Sequence, residues 1–179
     1  MISGKEILKR LGTDIKIEPF SKGRLNPNSY NLRLGNKLLV YDSNELDMKK
    51  DNPCHEILIP EEGFVLEPGK IYLGQTMEWT ETKNLVPMLS GRSSVGRLGI
   101  SIHATAGFGD VGFKGYWTLE LFACQPVRIY AGSEICQIYY DELTGEYEEY
   151  RGKHYGNDGV QASRMYRDFP KQKNKQGGR

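Results

Sequence analysis

Arg92, Ser93, Ser94 and Arg97 stand together in the run GRSSVGRL, ahead of any other clue in the chain. Two guanidinium groups, two hydroxyls and the backbone N–H groups of a helix start suit a polyphosphate. The same residues could form an arginine-bearing surface turn, and residue types alone do not separate the two. The run has the G-x-x-x-x-G spacing of a P-loop but lacks the following Lys-Ser/Thr that holds phosphate and magnesium. No strand-then-helix pattern of a parallel sheet surrounds it. A P-loop ATPase is excluded.

Further on, Gly107-Phe108-Gly109-Asp110-Val111-Gly112-Phe113 places three glycines around one acid. Glycine permits close approach of a flat ring to the backbone, and Asp110 could then bond a sugar hydroxyl. The alternative is a tight turn whose Asp bonds its own backbone. In Trp117-Thr118-Leu119-Glu120-Leu121-Phe122, strand alternation sets Trp117, Leu119 and Leu121 on one face and Thr118, Glu120 and Phe122 on the other. A carboxylate beside Phe122 is partly desolvated, which raises its pKa unless a cation such as Arg97 offsets the effect. That environment suits a general base that takes a proton from water and later delivers it; a structural ion pair is the competing reading. His103, by itself, reads as a packed, hydrogen-bonded histidine. The H-x-E and P-C-x-x-C pattern of zinc nucleotide deaminases is absent, so zinc is not expected.

The elements that position these groups are short. At 179 residues the chain fits one domain with a tail, and a net charge of +1 gives no reason to expect bulk binding to nucleic acid or a membrane. Three widely spaced cysteines, Cys54, Cys124 and Cys136, with no signal peptide or long apolar run, suit free thiols in a soluble, cytoplasmic protein. Ser3-Gly4-Lys5-Glu6 is a capping box, with Ser3 taking the Glu6 N–H and Glu6 reaching back, so a helix is expected over 4–11. Thereafter 21 glycines and regular turn signals punctuate β-prone runs. These are Ile15–Glu18, Tyr30–Leu34, Lys37–Tyr41, Glu56–Ile59, Gly63–Leu66, Ile71–Met77, Leu85–Leu89, Val127–Tyr130 and Glu134–Tyr140. Residues 42–55 read as a polar surface loop. From Thr144 the chain is polar and aromatic, either solvated fringe or a lid that orders over ligand. The expected domain is 1–169, with 144–169 as a closing tail and 170–179 disordered.

Taken together, these residues resemble the dCTP deaminase branch of the dUTPase-like superfamily. The resemblance rests on the helix I-S-G-K-E-I, on N-P-N-S-Y-N-L-R-L-G (26–35) and on GRSS-x-x-R-L-G joined to T-A-G-F-x-D-x-G-F-x-G-x-x-T-L-E. It also takes in Ile135-Cys136-Gln137-Ile138 and the tail positions Tyr150, Lys153, Gly159 and Ser163. It implies an all-β, dUTPase-like distorted barrel or jelly roll with a short N-terminal helix and a C-terminal lid. It implies a homotrimer with sites between subunits. The implied substrate is dCTP with Mg2+ on the triphosphate, turned to dUTP and ammonia without zinc. By position, Glu120 is the implied base, and Ser93 and Arg97 steady it and the water. Arg92 and Ser94 hold phosphates, with Val95, Gly96 and Ala106 among the substrate-binding positions. Asp110 meets the 3′-hydroxyl, and Phe113 lies under the sugar and disfavours ribose. Thr118 and Leu119 line the base, while Tyr150, Lys153 and Asn157 belong to the closing tail. dTTP is the candidate feedback inhibitor, on which the sequence itself is silent.

Three positions depart from the family pattern. Asn31 stands where the family carries Asp, a change in a structural hydrogen bond. Gly109 replaces a branched apolar residue, so a looser hairpin is expected. Asn157 replaces Gln and is one methylene shorter, which weakens the case for its phosphate contact. The T-A-G-F-x-D form of 105–110 leans toward members that continue to dUMP and pyrophosphate, supplying thymidylate synthesis; deaminase-only members more often carry His-Arg after T-A. A plain dUTPase, with Glu120 idle, and a weakly catalytic nucleotide-binding regulator are the alternatives.

Overall fold

The computed structural model describes residues 1–152 and 155–169. One helix, α1 (Gly4–Arg10), precedes β1 (Ile15–Glu18), β2 (Tyr30–Tyr41), β3 (Cys54–Leu58), β4 (Phe64–Leu66), β5 (Tyr72–Thr76) and β6 (Trp79–Thr82). Then follow β7 (Leu85–Gly91), a one-turn helix α2 (Ser93–Gly96), β8 (Ile100–Ser101), β9 (Lys114–Gly115), β10 (Thr118–Ala123), β11 (Val127–Ile129) and β12 (Glu134–Glu142). The largest sheet runs β7-β12-β2-β5-β10-β8, with β3 paired to β2; the smaller ones are β1-β6-β9 and β11-β4.

Beyond β8 the chain crosses to the opposite edge strand, β7. Leu89 N donates to Gly107 O at 2.7 Å and Gly109 N to Pro87 O at 2.9 Å. This return nearly closes the sheet into a barrel and protects the β7 edge. The expected all-β, dUTPase-like architecture is the one observed. Leu32, Leu34, Leu38, Leu119, Leu121 and Ile138 are fully buried in the core, each worth about 1.5–3 kcal/mol of apolar burial.

Ser3 caps α1 by accepting from Glu6 N at 3.2 Å, while the Glu6 carboxylate takes the Arg10 Nε–H at 2.8 Å. Several strand expectations needed correction, among them the end of the 42–55 loop, since Cys54 and His55 pair with Tyr41 and Val40 as the start of β3. The runs expected at 30–34 and 37–41 are one strand, because Gly35 and Asn36 form a register shift between Leu34 and Leu38 and not a break. A Cβ at Gly35 would stand 3.0 Å from Gln75 Cγ and 3.2 Å from Gln75 O, so a side chain there would crowd β5. Strand β6 was not foreseen: its inward residues are Thr80 and Thr82, 1% and 2% exposed, which invert the usual apolar-in pattern. Thr82 Oγ1 is satisfied by donating to Leu85 O at 3.0 Å. The three cysteines are free thiols. Among the described residues no helix is long and apolar enough to cross a membrane.

Candidate active site

Strand β10 carries the acid. It lies between β5 and β8, with Glu120 opposite Leu73 and its N–H donating to Ile102 O at 2.9 Å. Alternation along β10 holds as expected: Leu119 and Leu121 point into the core, while Thr118 and Glu120 are half-buried and Phe122 is exposed. Thr118 and Glu120 face a cavity of about 560 Å3, which also takes in Ala106, Asp110, Phe113 and Tyr150. Leu119 can offer this cavity only backbone, since its side chain is fully buried on the other face. Clefts of about 340 Å3 along β1 and about 500 Å3 beside Trp79 contain none of the residues singled out from the sequence.

Two groups hold the Glu120 carboxylate. Ala104 N donates to Oε2 at 3.0 Å, and His103 Nδ1 stands 3.4 Å from the same oxygen. The imidazole contact is long and not aligned as a hydrogen bond, leaving both ring nitrogens of a histidine only 9% exposed without a hydrogen-bond partner among the described residues. His103 above all holds the Glu120 carboxyl below its ordinary value; half-burial works in the opposite direction, and the Ala104 N–H adds to the lowering. The group beside Glu120 within one copy is therefore His103, where Arg97 was expected. His103→Ala should remove the larger lowering influence, so the acid limb of the kcat/KM–pH profile should move to higher pH. An unmoved limb in that titration would show that His103 does not govern Glu120.

The Arg92–Arg97 corner lies apart. Ser93, Ser94, Gly96 and Arg97 are exposed on and after α2, and Val95 packs on the core. None of them lines the Glu120 cavity. Arg92 is tied down: its Nη1 donates to Glu134 O at 2.9 Å and sits 3.2 Å from Glu134 Oε2. Asn31 Nδ2 donates to that same Oε2 at 2.8 Å. This explains the departure at position 31, because an Asp would oppose one carboxylate with another. Arg24 then links Glu134 to the fully buried Glu78, at 3.8 Å on each side.

At the cavity's glycine turn, the expectation of a loose hairpin is overturned. Gly109 is buried and hydrogen-bonded to Pro87, and an added Cβ would stand 2.5 Å from Trp117 Cη2 and 2.8 Å from Pro87 O. Described residues of the tail form a strap against the same cavity. Tyr150 N donates to Val111 O at 2.7 Å, Gln161 N to Thr118 Oγ1 at 3.2 Å, and Ser163 N to Tyr41 Oη at 3.0 Å. Asn157 is 5% exposed, and its amide lies between Tyr116 O, at 2.9 Å, and Gly159 N, at 3.4 Å. In this arrangement it anchors the strap. Lys153 and residues 170–179, both given roles above, lie outside the described residues. Among the described residues no three His, Cys, Asp or Glu side chains are grouped to hold a metal ion.

The nearly closed β-barrel agrees with what comparison finds. The family model described as dCTP deaminase-like matches residues 1–143. The chain belongs to the dCTP deaminase-like family. Among its relatives in that family, a protein of Hathewaya histolytica named "dCTP deaminase, dUMP-forming" is 65% identical over 170 residues, covering 94% of this chain and 99% of the relative. One of the same name from Cytophaga hutchinsonii is 61% identical over 172 residues, covering 96% and 99%. The crystal structure of 2′-deoxycytidine 5′-triphosphate deaminase from Agrobacterium tumefaciens superposes with a TM-score of 0.62 at 23% identity, over 78% of this chain and 47% of that one. The match thus spans about half of that longer chain, and it speaks for the fold. Within a dCTP deaminase-like domain, two contributors escaped the sequence reading. From the sequence, His103 reads as packing, and Trp117 shares the face of Leu119 and Leu121. The only sequence signal for either was its position: His103 just ahead of the T-A-G-F motif, and Trp117 just ahead of T-L-E.

Proposed function

We propose that the chain deaminates dCTP hydrolytically and carries the product on to dUMP and pyrophosphate. The observation that carries this is Glu120, a carboxylate held ionised beside His103 and the Ala104 N–H at the wall of a cavity that also holds Asp110 and Phe113. Water is a poor nucleophile at neutral pH, so a base must take its proton as oxygen adds to cytosine C4. Glu120 accepts that proton and returns it to the leaving amine, which departs as ammonia. Thr118 and the Leu119 backbone meet the base, Ala106 borders it, Asp110 takes the 3′-hydroxyl and Phe113 underlies the sugar. Tyr150 and Lys153 close on the triphosphate. Magnesium travels on that triphosphate as part of the substrate, and the base chemistry calls for no zinc. The relatives' name, dUMP-forming, supports the second hydrolysis, as does the T-A-G-F-x-D form of 105–110.

The active unit in this reading is a homotrimer. The exposed Ser93, Ser94, Val95–Gly96 backbone and Arg97 stand off the Glu120 cavity of their own copy, so a neighbour's corner completes it, with Arg92 behind. Arg97→Ala should then lower kcat for ammonia release by about a hundredfold, and unchanged kinetics would remove Arg97 from the site. Mixing inactive Arg97→Ala and Glu120→Gln chains should regain activity in hybrid trimers. dTTP, with the same deoxyribose triphosphate, is proposed to compete for the site, and the free thiols suit a cytoplasmic setting. The deciding experiment supplies dCTP and magnesium and measures ammonia, dUTP, dUMP and pyrophosphate. Equal ammonia and pyrophosphate with no free dUTP is expected. Accumulating dUTP would end the second step of the proposal, and dUMP from dUTP alone would make the protein a dUTPase.

A further inference from the structure

Trp117 stands where the cavity wall meets the core, and it is pinned more heavily than packing requires. Its backbone N–H donates to Thr76 Oγ1 at 3.1 Å, and its indole Nε1–H donates to Thr80 Oγ1 at 2.9 Å. Both threonines are buried, at 0% and 1% exposure, so these bonds form away from water and hold the ring in one pose. The indole is 7% exposed, yet it contributes to the cavity lining.

What the ring touches gives the fixed pose a consequence. Its Cη2 edge fills the space a side chain at Gly109 would occupy, 2.5 Å from an ideal Cβ there. On the other side its centroid lies 4.5 Å from that of Phe113, tilted by 42°. Gly109 and Phe113 are the two ends of the turn that carries Asp110, a turn closed by Phe113 N donating to Asp110 O at 3.2 Å. One rigid indole therefore contacts both ends of the turn.

We infer that Trp117 is a specificity-determining positioning residue, a wedge that sets the Asp110–Phe113 spacing to accept 2′-deoxyribose and reject ribose. The inference rests on the proposed deaminase reading, in which these two residues meet the sugar. The wedge touches neither the base nor Glu120, so it acts on binding and selectivity and leaves the chemical step alone. It also accounts for glycine at 109: the indole edge and a Cβ cannot share that space.

The test compares dCTP with CTP as substrates for wild type, Trp117→Phe, Gly109→Ala and the double variant, with thermal melting in parallel. Phe keeps an aromatic ring against Phe113 but loses the Thr80 bond and the edge beside Gly109. Trp117→Phe should raise KM for dCTP about tenfold and cut the dCTP-over-CTP preference by a similar factor, with kcat for dCTP changed less than about threefold. Gly109→Ala should shift selectivity the same way. Adding Trp117→Phe to it should recover part of the loss, because the shortened ring makes room for the Cβ. A merely structural tryptophan would lower melting temperature and active fraction without moving the KM ratio. A preference within about twofold of wild type in Trp117→Phe, or a fall confined to kcat, overturns the wedge. Wild-type turnover of dCTP judges the deaminase reading separately. Calorimetric dCTP and CTP affinities in a Glu120→Gln background give the same ratio with no turnover at all.

Discussion

Glu120→Gln is expected to cut ammonia release from dCTP by about a thousandfold, within the range a positioned general base contributes. The amide keeps the shape of the side chain. Its carbonyl oxygen can still accept from Ala104 N, which now donates to Oε2 at 3.0 Å. It cannot take a proton from water. The Kd for dCTP should therefore stay within about threefold of wild type, the signature of an interaction made only in the transition state. Single-turnover ammonia assays and calorimetry with dCTP measure the two quantities directly. Ammonia release at the wild-type rate would remove Glu120 as the base. Lost binding together with lost turnover would make it a structural carboxylate.

Glu78→Ala is expected to carry the largest stability loss of any single substitution considered. Glu78 is 0% exposed; Oε1 lies 2.7 Å from Arg33 Nε, Oε2 accepts from Arg33 N at 2.8 Å, and Arg24 is 3.8 Å away. Removing the carboxylate leaves two largely buried guanidinium groups facing each other, a loss of about 3–5 kcal/mol for a broken buried pair. For a chain of this size that is a fall in melting temperature of roughly 6–20 °C. Arg24 also meets Glu134, which orients Arg92, so the loss should extend to a weaker KM for dCTP. Glu78→Gln, which keeps the hydrogen bond to Arg33 N, should fall in between. Equal melting of Glu78→Ala and wild type would show that the arginines find water in place of the acid.

Legibility in the sequence divided along a physical line. The face of β10 that carries Glu120 was readable because strand alternation is a property of neighbouring residues. The capped helix α1 and most strands were readable for the same reason: caps, turns and β-branched runs act over a few positions. Strand β6 was not, because Thr80 and Thr82 turn inward to hydrogen-bond Trp117 and Leu85, partners that the local pattern does not name. Gly109 misled the reading in the same way, since its reason is the ring of Trp117, just ahead of β10.

By itself, the sequence determined the family, the all-β class, the acid on an apolar strand and the cluster of arginines and serines, each carried by contiguous motifs. Only the tertiary structure decided which groups act on one another. It set His103 beside Glu120 within one copy, and it drew Arg92 onto Glu134 across 42 residues of chain. It kept α2 out of its own copy's cavity and made Trp117 the gauge of the Asp110 turn. Charge contacts and close packing depend on distances of a few ångströms between strands, and those distances come into being only when the barrel closes.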